Sequence, residues 1–390
     1  MKRLTLLLLG LALGVTATAK AQGLTMQMSN GWSFAFGGNV NAFWVFTKGN
    51  NSGPTNSNVR TGLLPTFATF EARGKEGGLN LGIHFGFAPQ INNPNNCHDN
   101  FAAVPCSGGG TQAGAQIDMR QVYLTVGFKN GSQILAGREL GLFSRQNILN
   151  DMTLFGVGSV GVGAGFTQGG GTTLGRIGYG YLYPNFDAQV TYSTKPGQTQ
   201  FSIGLFQPSV LNSGTYSFTK IPRLEGEFTY SQRSGKNSYL FWVGGLWQTT
   251  SNAVSGGTSQ SSVGGTAGIK AGMSDLSLVV TGYLGKGVGT TLLFSGGEVI
   301  GGTTSKSDGG YAQLMYKVGP KTNVGASWGF SRLKNDPGAV LSNWTSTTLG
   351  VYNQWTKSLK LVFEGTREQN GNGSTAPSQI DVSGGLMLFF

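Results

Sequence analysis

Gln379-Ile-Asp-Val-Ser-Gly-Gly-Leu-Met-Leu-Phe-Phe390 is the stretch on which the fold turns. Side chains along an extended strand alternate between two faces. Ile380, Val382, Gly384, Leu386, Leu388 and Phe390 therefore share one face, and Asp381, Ser383 and Gly385 share the other, with Met387 and Phe389 at the end. An apolar face that stops at a terminal aromatic carboxylate suits the lipid side of a membrane barrel. Hydrocarbon tolerates no open sheet edge, so a last strand of this kind must close on a first strand with the same alternation. Trp32, Phe34, Phe36, Gly38, Val40, Ala42, Trp44 and Phe46 supply it, alternating with Ser33, Ala35, Gly37, Asn39, Asn41, Phe43 and Val45.

Between these two ends the pattern repeats. Leu63–Arg73 is a predicted strand, followed by the tight turn Gly74–Gly78 and a strand whose Leu79, Leu81, Ile83, Phe85 and Phe87 face out while Asn80, Gly82, His84 and Gly86 face in. A long loop, Pro89–Gln116, precedes the hairpin Ile117–Phe128 and Gln133–Glu139. The longest connection, Leu140–Thr173, is rich in glycine and is expected to fold back into the barrel. Leu174–Thr194 reads as one returning strand kinked at Pro184-Asn185, and Gln200–Pro208 and Pro222–Ser231 follow. Later strands are Asn237–Thr250, Val263–Met273, Leu276–Gly285, Gly310–Val318, Thr322–Arg332, Asn343–Trp355, Leu359–Glu368 and Ser378–Phe390. The fold class is all-β: a closed antiparallel transmembrane β-barrel of about sixteen strands, with short periplasmic turns, long extracellular loops and one loop folded into the lumen. Arg223, Glu225 and Glu227 fall on one face of a single strand, and three charges there need water, so the interior reads as a channel.

Composition agrees. With 66 glycines, 11% charged and 11% aromatic residues, the chain is poor helix material and good material for short strands and turns. A mean hydropathy of -0.07 is what alternating lipid-facing and water-facing residues average to. The start, Met1-Lys-Arg followed by a leucine-rich run and Ala19-Lys-Ala21, reads as a secretory signal peptide over residues 1–21, because the apolar run is shorter than the ~20 residues of a spanning helix. Residues 22–390 then form a single barrel domain in the cell outer membrane. Without Lys2, Arg3 and Lys20 the chain keeps 24 basic against 16 acidic residues, a net +8. For an exported chain that excess points to anionic solutes or to lipid and lipopolysaccharide headgroups, and not to nucleic acid. Cys97 and Cys106, with eight residues between them in an oxidising compartment, are expected to close a small disulfide loop; no metal site and no cofactor is expected. Gly156-Val-Gly-Ser-Val-Gly161 matches a dinucleotide-binding fingerprint literally, but no βαβ unit surrounds it, and a flexible infolded segment fits better.

Arg120-Gln-Val-Tyr-Leu-Thr-Val-Gly-Phe-Lys-Asn-Gly-Ser-Gln-Ile-Leu-Ala-Gly-Arg138-Glu resembles the Arg-Gln-Ala-Tyr-Val-Gly-Leu, turn, Leu-Gly-Arg-Gln hairpin of Gram-negative general porins. In that trimeric superfamily the hairpin leads into the constriction loop. The later hairpins, Leu276–Gly287 and Leu359–Glu368, look most like the DcaP-like group, which is associated with small anionic and dicarboxylate solutes. The resemblance implies a homotrimeric outer-membrane porin: a water-filled channel for passive diffusion of small hydrophilic solutes and ions, with a preference for anionic ones. An infolded Leu140–Thr173 would place Arg138, Arg145, Asp151 and Arg176 near the narrowest zone, and strand alternation puts Arg223, Glu225, Glu227 and Lys270 on the lumen wall. Phe390 would be the signal read by the outer-membrane assembly machinery. The competing reading is a barrel serving mainly as adhesin or structural protein. A hydrolytic enzyme is disfavoured because His84 and His98 lie in no nucleophile motif.

Overall fold

Burial alternates residue by residue along strand after strand. The computed structural model describes residues 23–28, 31–50, 55–92, 117–162, 172–252, 257–335, 338–371 and 376–390. The barrel strands are β1 (Ser33–Asn50), β2 (Thr55–Arg60 and Phe67–Glu76), β3 (Leu79–Pro89), β4 (Ile117–Gly127), β5 (Gln133–Leu140) and β6 (Phe186–Ser193). They continue as β7 (Thr199–Phe206), β8 (Arg223–Ser234), β9 (Asn237–Ser251), β10 (Ser259–Met273) and β11 (Leu276–Lys286). The last five are β12 (Lys306–Lys317), β13 (Thr322–Lys334), β14 (Val340–Gln354), β15 (Leu359–Asn370) and β16 (Ser378–Phe389). Each pairs antiparallel with its neighbours in sequence, and β16 pairs with β1 from Asn39↔Phe389 to Asn50↔Ser378, so the sheet of sixteen closes. Below that seam the short strand Leu24–Gln27 pairs with Ser33–Phe36.

The faces sort as a membrane requires. On β16, Ile380, Val382, Leu386 and Leu388 are 46–54% exposed on the outside, while Asp381, Ser383 and Met387 are buried inside. No described helix is long and apolar enough to cross a membrane; the crossing is made by strands. Tight turns such as Gly77-Gly78, both at positive φ, lie at one end, and the long loops lie at the other.

Two strands differ from the expectation. Leu63–Arg73 is not one run: β2 breaks at residues 61–66, because Pro65 has no N–H for the ladder and Leu63 and Leu64 turn inward, 3% and 5% exposed. The inward Asn39 and Asn41 serve the broken backbone, donating to the carbonyls of Pro65 at 3.2 Å and Leu64 at 2.9 Å. The expected long strand Leu174–Thr194 is likewise only Phe186–Ser193. Pro184 cannot donate and Asn185 sits at φ 61, so the ladder ends there and residues 172–185 belong to the infolded connection. The chain still crosses once, which preserves the count of sixteen.

Candidate functional site

The connection between β5 and β6 folds back into the barrel. It holds a short helix, α1 (Arg145–Leu149), a 3-10 turn (Met152–Phe155), the glycine run 156–161 and the returning segment 172–185. Its apolar side chains, among them Ile148, Leu154, Val157, Val160, Tyr179 and Tyr181, pack on inward-facing Phe43, Val45, Trp242, Tyr311 and Val362 of the wall. An apolar core therefore sits inside the barrel between loop and wall, and its burial holds the loop against the wall.

Polar anchoring is as extensive. Glu225 on β8 accepts the N–H groups of Leu142 and Phe143 at 2.8 and 3.0 Å. Two residues on, Glu227 pairs with the Arg145 guanidinium at 2.5 Å and accepts from Gln146 at 3.2 Å. Asn147 is a hub: its amide donates to Thr266 at 2.9 Å, its side-chain oxygen accepts from Trp242 at 2.8 Å and Thr281 at 2.9 Å, and its carbonyl accepts from Tyr311 at 2.7 Å. Gln313 on β12 both donates to the Asn150 carbonyl and accepts from the Met152 N–H, each at 2.8 Å.

The glycine run meets two carboxylates of β15. Glu364 accepts the N–H groups of Val157 and Gly158 at 2.7 and 2.8 Å, and Glu368 accepts those of Val160 and Gly161 at 2.5 and 3.0 Å. At Gly156 a Cβ would lie 2.2 Å from a Glu364 carboxylate oxygen, so only glycine allows this approach. A run that resembles a phosphate-binding loop here presents its amides to protein carboxylates. Asp151, 3% exposed, caps the 3-10 turn through the Thr153 N–H at 2.9 Å and accepts from the Tyr181 hydroxyl at 3.0 Å. Burial pushes its carboxyl above the ordinary range, against the pull of Arg176, and burial pulls the Arg176 guanidinium below its own. Arg176 is fully buried and donates to the Ser346 carbonyl and hydroxyl at 2.7 and 2.6 Å and to the Ser327 carbonyl at 2.6 Å.

A family model described as Gram-negative porin matches residues 6–373. This chain belongs to the Gram-negative porin family. Among solved structures it is similar to the outer-membrane channel DcaP of Acinetobacter baumannii, with a TM-score of 0.65 and 14% identity over 94% of this chain and 99% of that one. It is also similar to the anion-selective porin from Comamonas acidovorans, with a TM-score of 0.62 and 15% identity over 92% of this chain and 100% of the other. OmpT of Vibrio cholerae, in a trimer form, gives a TM-score of 0.53 at 14% identity, covering 92% and 100%. No protein of curated function matches the chain. These likenesses show the fold, and family membership makes the chain an outer-membrane channel for passive diffusion.

In this porin the residues singled out from sequence divide into three groups. Arg145, Asp151, Arg176, Glu225 and Glu227 converge on the infolded loop, and Lys270 on β10 reaches it too, donating to Asn150 at 3.3 Å. Arg223 faces inward but is sealed under loops, paired with Asp187 at 2.5 Å and Ser209 at 2.8 Å between the rings of Phe206 and Phe294. Arg138 is a correction. Its neighbour Glu139 points into the barrel and is buried, so strand alternation turns Arg138 outward, exposed and flanked in register by Val122 and Ala188. Cys97 and Cys106 lie outside the described residues.

Sequence reasoning missed Asn147, Gln313, Ser346 and Glu368. Only Glu368 had a legible signal, as the third member of the inward series Glu364, Thr366 and Glu368. Nearer the short turns, a cavity of about 370 Å³ is lined by Arg73, Glu71, Asn80, His84, Tyr123 and Gln133. There His84 lies 3.0 Å from Glu71 and 3.2 Å from Gln121, and its ring stacks on Tyr123 at 4.8 Å.

Proposed function

We propose that the infolded loop is the constriction of this channel and that the channel prefers small anions. The observation that carries this reading is how the interior charges are employed. Glu225, Glu364 and Glu368 are each bound by two backbone N–H groups, whose dipoles offset much of the field of a carboxylate, and Glu227 is paired with Arg145. Among the described residues Lys270 beside the loop and Lys360 on β15 are in no ion pair: the first meets Asn150, and the second lies 3.7 Å from the centre of the Phe155 ring. In a narrow zone with low-dielectric walls, two such cations outweigh charges in the wide, screened vestibules. The net +8 of the chain after its leader acts in the same direction. The Comamonas relative is named as anion-selective, which agrees with the reading.

The rest of the reading is a leader over residues 1–21, one barrel domain over 22–390, and a homotrimer in outer-membrane lipid with the apolar face of β1 at the contact. A mass of three chains in mild detergent would bear the trimer out, and a monomer would count against it. Solutes pass unchanged; members of the family are channels and not enzymes. The test of selectivity is the reversal potential in a planar bilayer under a salt gradient. Anion preference is expected, and Lys270→Gln with Lys360→Gln should reduce it by at least half while leaving an open channel. Cation selectivity in the unsubstituted protein would refute the reading.

A further inference from the structure

The connection between β11 and β12, residues 287–305, folds into the mouth of the barrel. Gly287, at φ 67, turns the chain inward, and its N–H closes on the Ser305 carbonyl at 2.8 Å. Val288 then lies against the inner wall, where a Cβ on Gly285 of β11 would run into its side chain. Val288 and Leu293 are fully buried. They share an apolar cluster with Leu246 and Tyr283 of the inner wall and with Phe143 and Leu182 of the β5–β6 loop.

The two loops are also joined backbone to backbone. The Tyr183 N–H donates to the Thr291 carbonyl at 2.8 Å, and the Leu293 N–H donates to the Tyr183 carbonyl at 3.1 Å, which is the pattern of a parallel ladder one bridge long. The Asn185 amide adds a bond to the Leu293 carbonyl at 2.9 Å. The β7–β8 connection, residues 207–222, backs this contact: its Leu211 and Tyr216 pack with Val299 and Phe294, and its Asn212 N–H donates to Glu298 at 3.4 Å. Phe294 is held at φ 60, a conformation that a bulky residue keeps only where its surroundings fix it, and its ring centre lies 5.5 Å from the Arg223 guanidinium carbon. Beneath these loops the inward residues Arg223, Gln248, Ser262 and Tyr283 are 0–3% exposed, so this sector of the mouth is sealed.

We infer that the β11–β12 connection is a second determinant of pore size. It fills the mouth in front of β8–β11 and latches the returning limb of the constriction loop at Tyr183–Asn185. Glu298 is its one charged side chain, and that buried carboxylate is engaged by the N–H groups of Gly296 and Asn212. The connection therefore contributes bulk and not field: its removal changes which solutes fit and leaves unchanged which ions are preferred. The inference rests on the β5–β6 loop being the constriction, whereas the anion preference is read in a separate measurement.

Lys286 and Lys306 are already register partners, so deleting Val288–Thr304 leaves Gly287-Ser305 as a two-residue hairpin turn and keeps the barrel strands paired. A milder variant is Asn185→Gly with Leu293→Ala, in which glycine keeps the left-handed backbone at 185 while the latch loses its amide and its apolar contact. Both are measured by single-channel conductance and by the swelling of liposomes in neutral sugars, which senses size without charge. The deletion is expected to raise conductance by half or more and to raise the rate for a disaccharide, relative to a monosaccharide, at least twofold, with the reversal potential in a salt gradient unchanged. The double substitution should raise the same ratio by about a third, and it decides the matter if the deletion variant does not insert. An unchanged sugar ratio in a variant that inserts, or a reversal potential that changes sign on deletion, would overturn the inference. Failure of the anion reading would appear instead as cation selectivity in the unsubstituted protein, whatever the sugars do.

Discussion

At the scale of single residues, the interior carboxylates are where the chemistry of this porin is decided. Glu364 and Glu368 lie four apart on β15, so both point inward, and each collects two amides of the glycine run. A hydrogen bond to a charged group contributes about 1.5–3 kcal/mol, so the pair fixes the run more firmly than apolar contact alone would. Replacing both with glutamine keeps an acceptor oxygen at each site but removes the charge that strengthens the bonds. The expected result for Glu364→Gln with Glu368→Gln is a channel that still opens but shows more open-channel current noise than the unsubstituted one. Traces as quiet as those of the unsubstituted protein would mean that the apolar core alone immobilises the loop.

At the scale of elements, the strands and the infolding of the long loop were legible in the sequence, and the extent of that loop was not. β1 and β16 are readable because lipid imposes one rule on every outward position, and Trp44, Val40, Ile380 and Leu388 obey it. The inward positions obey no single rule. Asn39 and Asn41 serve the broken backbone of β2, Phe43 and Val45 floor the apolar core, and Thr47 donates to Asp381 at 2.5 Å. In the sequence, Phe43, Val45, Trp242 and Val362 look like lapses in a polar face; in the fold they mark where the loop lies. The extent of the loop was misread for a related reason. Residues 174–185 alternate like a strand, but their partners are inward wall groups and residues of other loops, such as Thr291 of the β11–β12 connection for Tyr183. A local period carries no information about which surface a segment meets. The outward turn of Arg138 was legible from its neighbour Glu139, yet the resemblance to a known hairpin suggested the opposite face.

At the scale of the whole molecule, stability and insertion depend on one seam. Every other strand pair is joined by a turn or loop, but β1 and β16 meet only because the chain ends come together, and an unpaired edge in hydrocarbon costs several kcal/mol for each unsatisfied group. Phe390 sits at the end of that seam. Its N–H donates to the Gly38 carbonyl at 3.1 Å, its own oxygen accepts from the Gly38 N–H at 3.0 Å, and its ring stands 5.2 Å from Phe36. Phe36 in turn lies 4.9 Å from Phe70 on β2, so the terminal ring joins an aromatic row across the closing strands at the short-turn end. Deleting Phe390 removes two backbone hydrogen bonds and this ring contact but leaves the rest of the register from Asn39↔Phe389 upward. A barrel that has already closed should tolerate that loss, whereas recognition of the unfolded terminus by the assembly machinery should not. The deletion is therefore expected to lower outer-membrane yield at least fivefold in cells while refolding in detergent from denaturant proceeds with little change. Normal yield in cells would remove the assembly role from Phe390, and failure to refold in detergent would assign its importance to the seam itself.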